Sequence, residues 1–113
     1  MELKQLYKDL TVLIGTEIPL PVFFVHCDLC ARRYLRRYPK KLLLGAGEYI
    51  SPENINDALA VDESFYGAVL YAIAGSYLGD AAYAARADGE AEDAYKALWR
   101  KSVRGKRRKG DAW

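Results

Sequence analysis

A chain of 113 residues, 51% hydrophobic and 28% charged, has the composition of a globular domain, which excludes general disorder. At this length it holds one core and not two, since roughly two thirds of the unfolded surface is buried on folding. The formal net charge of +2 hides three blocks: six bases and no acid over 32–41, ten acids against Arg86 over 44–95, and eight bases against Asp111 over 96–113. Such polarity suits head-to-tail contact between copies, or one face toward DNA and another toward protein; solvated faces are the plainer alternative.

Leu3, Leu6, Tyr7, Leu10, Leu13 and Ile14 recur at three- and four-residue spacing opposite Lys4, Gln5, Lys8 and Asp9. This predicts an amphipathic first helix, stopped by Gly15, with no signal peptide. "TEIPLP" is a stiff connector, and Pro21 suits the first turn of helix two, where its missing N–H is not needed. Pro39 ends that helix by pushing Tyr38 out of helical geometry. "KKLLLGAGEYIS" changes character, and Gly45-Ala46-Gly47 between two short apolar segments signals a β-hairpin or an extended loop. Two strands alone are marginal in water, so such a hairpin leans on helices or on another subunit.

Asp62 or Ser64 can cap the third helix, with Glu63 near its positive end. "SFYGAVLYAIAGSYL" is apolar nearly all round, which predicts burial on most sides. The uncharged run Ser64–Gly79 is sixteen residues, short of the ~20 that a membrane span needs. The stripe of Leu70, Ile73, Tyr77, Ala81, Ala84 and Ala85 predicts that this helix continues to a break at Asp88-Gly89. Glu90, Glu92 and Asp93 then open a last helix and Arg100, Lys101 and Arg104 close it, with Tyr95, Leu98, Trp99 and Val103 on its apolar side. The fold class expected is mainly α: a small bundle of about four helices, with the hairpin or loop between helices two and three. One helical domain covers 1–104, and 105–113 is a basic C-terminal arm too poor in apolar residues to fold alone.

The densest stretch is "VFFVHCDLCARRYLRRYP", residues 22–39. His26, Cys27 and Cys30 can point to one region of a helix. Structural zinc takes four ligands, usually from a second Cys or His pair, and no such pair occurs. A redox thiol needs the start of a helix, and Cys27 lies nearly two turns inside. The structural reading is stronger: Phe23, Cys27, Cys30, Tyr34 and Tyr38 form a stripe that Val22, Val25 and Leu29 broaden, with buried thiols packing as small hydrophobes. Two cysteines without a secretory signal point to synthesis in a reducing compartment. No cofactor is expected.

Arg32/Arg36 and Arg33/Arg37 are adjacent i,i+4 pairs, extended by Lys40 and Lys41. Like charges at this spacing repel by about 0.2–0.5 kcal/mol per pair, so partners are expected. These are phosphates, carboxylates of the acidic middle in this copy or the next, or solvent alone. Arg104, Lys106, Arg107, Arg108 and Lys109 make the arm a candidate for phosphate or acidic-protein docking, and Trp113 a candidate anchor. Catalysis finds no Ser/His/Asp set and no phosphate-cradling loop, so no enzyme is expected.

The chain resembles the small head-tail connector, or adaptor, proteins of tailed bacteriophages over most of residues 1–109. The resemblance lies in the short opening helix, the Arg-rich helix ending "RRYLRRYP", the intervening hairpin or loop, "VDESFYGAVLYAIAGSYLGD", and the late "DGEAEDAYKALWRKSVR" helix. The HCDLC segment is not part of that pattern. The resemblance implies a structural virion protein at the neck, made in the host cytoplasm. About twelve copies would form a closed ring under the portal, bound to the portal protein above and a stopper or tail-completion protein below. Double-stranded DNA would pass through without sequence-specific contact. It further implies that segment 40–60 touches neighbouring subunits or the next ring and that the arm reaches toward the portal. The competing readings are a small helical nucleic-acid-binding regulator using Arg32–Lys41 and the tail, and a helical protein-binding module of the antitoxin kind. Against the regulator, the Arg-rich helix also carries a dry stripe and no polar recognition helix follows.

Overall fold

Leu3, Leu6 and Leu10 are each fully buried and set the inward face of α1 (Leu3–Ile14). The Tyr7 hydroxyl donates to the Ile18 carbonyl at 2.6 Å, pinning the connector that follows. The chain is described by a computed structural model covering the backbone of residues 1–110 and the side chains of residues 1–103. Trp113, and the side chains of Arg104, Lys106, Arg107, Arg108 and Lys109, lie outside the described residues.

α2 (Leu20–Arg37) carries Pro21 in its first turn and buries Phe23, Cys27, Cys30, Ala31 and Tyr34. Tyr38 is extended ahead of Pro39, and its N–H still closes on the Tyr34 carbonyl at 2.8 Å. The β-hairpin does not form: Lys40–Leu44 is a five-residue helix, α3, and residues 45–62 are the extended loop. Leu43 turns into the core, almost completely buried, and its carbonyl accepts from the Asp62 N–H at 2.9 Å. Tyr49 and Ser51 spend their hydroxyls on Asp28 of α2, so this segment is held by side chains and not by a strand ladder. The loop is closed further on by Asp57, which accepts the N–H groups of Glu53 and Asn54. Leu59 exchanges hydrogen bonds with Met1: its N–H meets the Met1 carbonyl at 2.8 Å, and its carbonyl the Met1 ammonium at 2.7 Å.

Asp62 caps a 3-10 turn over Glu63–Phe65 by accepting from the Ser64 N–H. The turn leads into α4 (Tyr66–Leu78), which buries Ala68, Val69, Ile73, Ala74 and Gly75. The expected continuation through Ala87 is corrected: the helix ends at Gly79, whose φ of 65° is left-handed. Asp80 then caps α5 (Ala81–Gly110) by accepting from the N–H groups of Ala82 and Tyr83. A left-handed glycine followed by an N-capping Asp ends one helix and starts the next more strongly than apolar spacing holds them in line. The expected break at Asp88-Gly89 is absent, and α5 crosses both residues unbroken. One glycine costs a helix only ~1 kcal/mol, and Asp88 is held by α2 arginines. The described residues thus hold five helices where about four are expected.

α4 and α5 run antiparallel as a helical hairpin. Gly75 sits so close to α5 that a Cβ there would lie 2.9 Å from the Ala84 nitrogen, while Gly67 faces Glu90 at the other end. Phe65 packs with tilted rings against both Tyr34 and Tyr38 at centroid distances of 5.6 and 5.5 Å, and Tyr38 meets Tyr95 of α5 at 5.1 Å. This aromatic row joins α2 to the hairpin.

Candidate interaction surface on α2 and the end of α5

The six bases of residues 32–41 divide by partner. Arg32 donates to Asp28 at 2.9 Å and to Ser51 at 3.1 Å, with its guanidinium 5.5 Å from the Tyr49 ring centroid. Arg37 donates to Asp88 at 3.3 Å and to Glu92 at 3.2 Å, and Arg33 approaches Asp88 at 3.8 Å. Asp88 and Glu92 are one turn apart on α5, so two α2 arginines face two α5 carboxylates of the same chain. Tyr38 adds a hydrogen bond to Glu92 at 2.9 Å. Burial, followed by that bond to a carboxylate, pushes its phenol up to about 12, so it stays a donor at neutral pH. Lys40 reaches Glu48 at 2.7 Å. Arg36 and Lys41 are exposed and have no ion pair among the described residues.

Asp28 is the hub of a second network, accepting from Tyr49 at 2.6 Å, Ser51 at 2.7 Å and Arg32. Burial alone would raise its pKa, but these hydrogen bonds and the Arg32 charge outweigh burial and hold it below the usual carboxylate range. The network fastens loop 45–62 to α2.

His26, Cys27 and Cys30 are not brought together as ligands. Both thiols are buried in the core. Burial pushes the Cys30 thiol up to about 12 and Cys27 higher still, so both stay protonated at neutral pH and pack as apolar groups. His26 instead shares a 3.1 Å hydrogen bond with Ser76 and stands edge-on to Tyr77. Among the described residues no three His, Cys, Asp or Glu side chains gather to hold a metal ion. No described helix is long and apolar enough to cross a membrane.

Val22, Val25 and Leu29 do not broaden the buried stripe. They are 36%, 56% and 56% exposed, on the outer face of α2. At 100° per residue, Val25 and Leu29 stand about 130–170° from the middle of the Phe23–Cys27–Cys30–Tyr34 stripe, and Arg36 falls between them. The same arithmetic sets them apart from the buried stripe in the sequence, whereas hydrophobicity alone does not. The outer face of α2 is therefore apolar at its N-terminal half and cationic at its C-terminal half. A second exposed apolar group is Trp99, 53% exposed on α5 rather than packed with Leu98. Lys96 and Arg100 flank it as exposed bases.

Comparison of the chain with protein-family models, with curated proteins and with solved structures returns no match.

Proposed function

We propose that the chain is a structural connector: a head-tail adaptor of a tailed bacteriophage that forms a ring beneath the portal. In this role it joins the portal protein to a stopper or tail-completion protein and lets double-stranded DNA pass. The observation that carries the reading is the state of the α2 face. Three of its four arginines are engaged by groups of the same chain, Arg32 by Asp28 and Arg33 and Arg37 by Asp88 and Glu92. What the helix turns outward beside Arg36 is apolar: Val22, Val25 and Leu29. Phosphates have no use for that surface, whereas a protein partner with an apolar centre and a charged rim does.

The second reading, a nucleic-acid-binding regulator, draws on the eight bases against one acid over 96–113. The two separate in one pair of measurements. The full chain is mixed with the portal ring encoded by the same genome and imaged, and it is titrated against a random-sequence DNA duplex across a salt series. A connector decorates the portal with a symmetric ring and binds duplex weakly, with an affinity that falls steeply with salt. Sequence-selective duplex binding with undecorated portals would overturn the proposal.

A further inference from the structure

Two hollows on the surface are lined by residues of opposite charge. On α5, Tyr95, Lys96, Trp99 and Arg100 line a shallow hollow of about 350 Å³, with two bases and no acid on its rim. On the loop, a hollow of about 460 Å³ is walled by Ile50, Pro52, Glu48, Glu53 and Asp57 among others, with three acids and no base. Ile50 is 76% exposed and Trp99 53% exposed. Among the described residues both apolar groups are left largely uncovered, and Trp99 does not line the loop hollow.

We infer that the two surfaces form one joint between copies of this chain. The Trp99 indole of one copy seats in the loop hollow of the next, against Ile50 and Pro52, while Lys96 and Arg100 meet Glu53 and Asp57. Lys96 and Arg100 are one helical turn apart on either side of Trp99, the spacing that lets both reach carboxylates around a single anchor. Glu48 is already held by Lys40 at 2.7 Å, whereas Glu53 and Asp57 have no ion pair among the described residues, Asp57 closing its own loop through Oδ2 alone. A large aromatic flanked by an arginine, entering an apolar seat with a charged rim, is the pattern that concentrates binding energy in interfaces. Duplex nucleic acid would satisfy the bases but give the indole no seat. The two patches are unlike, so the contact is heterologous, repeating head to tail and closing into a ring where the rotation permits. The inference names the subunit contact of the connector proposed above and rests on that reading for closure.

The test is sedimentation velocity on the full chain over a concentration series. The native chain is expected to associate as concentration rises. Ile50→Asp and Trp99→Ala, both at exposed positions, are expected to associate more than about tenfold more weakly while keeping the native circular dichroism. An equimolar mixture of the two variants is expected to form pairs, because each keeps the half that the other lacks. Should Trp99→Ala fail to fold, Lys96→Glu with Arg100→Glu reads the same half. A native chain that stays monomeric throughout, variants that associate like it, or a mixture that forms no pairs would each overturn the joint. Association through this joint without portal decoration would retain the joint and sink the connector. Portal decoration by Trp99→Ala rings would do the reverse.

Discussion

Two glycines in helices carry opposite predictions. A Cβ at Gly75 would lie 2.9 Å from the Ala84 nitrogen and 3.2 Å from the Asp80 carbonyl, both backbone atoms that cannot swing aside. Gly75→Ala therefore forces α4 and α5 apart and should cost about 1–3 kcal/mol, the range for overpacked cores, measured by urea denaturation. At Gly89 nothing lies within 4 Å of the added methyl, so Gly89→Ala should stabilise by about 0.5–1 kcal/mol through helix propensity and a less flexible unfolded chain. Asp28 is the third residue where a local environment decides the outcome. Its folded pKa is depressed, so its contribution is present above its unfolded value, about 3.9, and is lost as pH falls through the folded value. Asp28→Asn should lower stability at neutral pH by about 1 kcal/mol and flatten the loss of stability between about pH 5 and pH 2. A pH series of denaturant midpoints for both proteins checks the slope.

At the scale of elements, the α2–α5 contact combines an aromatic row with an ion-pair cluster, and the two differ in weight. Arg37, Asp88 and Glu92 are 41–46% exposed, so solvent and salt screen their attraction. A double-mutant cycle with Arg37→Ala and Asp88→Ala should give a coupling of about 0.2–1 kcal/mol, smaller still at high salt. A larger, salt-insensitive coupling would mean that the cluster is effectively buried. Much of the element order was legible: α1 and α2 begin and end where leucine spacing, Pro21 and Pro39 place them. The division of the second half was not, because an Ala-rich helix that turns back on itself keeps helical spacing across the turn. Gly79 and Asp80 carry the stop and start, and Asp88-Gly89 has the same composition in reverse order; the left-handed Gly79 with the Asp80 cap, the close approach of Gly75 to Ala84 and the arginine partners of Asp88 tell the two apart in the fold. The short helix α3 hid for a similar reason, since five residues are too few to show a period. The site was half legible. The arginine cluster was visible as charge, whereas the partners of Arg33 and Arg37 lie more than fifty residues away and emerge only from the fold.

Across the whole molecule, the acidic middle block and the basic helix that look opposed in sequence meet within one chain at three acids, Glu48, Asp88 and Glu92. In sequence the last block, 96–113, carries eight bases against one acid. The fully buried core ends before it: among the described residues, Ala94 is the last buried side chain, and Leu98 packs half-buried against the same cluster. Removing residues 105–113 therefore takes no described core contact away, although α5 is helical to Gly110. The truncated chain should unfold with an unchanged urea midpoint, within about 0.5 kcal/mol. It also loses Lys106, Arg107, Arg108 and Lys109, half of the eight bases over 96–113. If this end docks on the portal, truncation should weaken portal binding while leaving intact the Trp99 joint between copies, which lies upstream of the cut. If it stabilises the fold instead, the midpoint should fall and both contacts should weaken together. Comparing the midpoint with portal binding, each measured on truncated and full-length protein, separates a docking arm from a structural one.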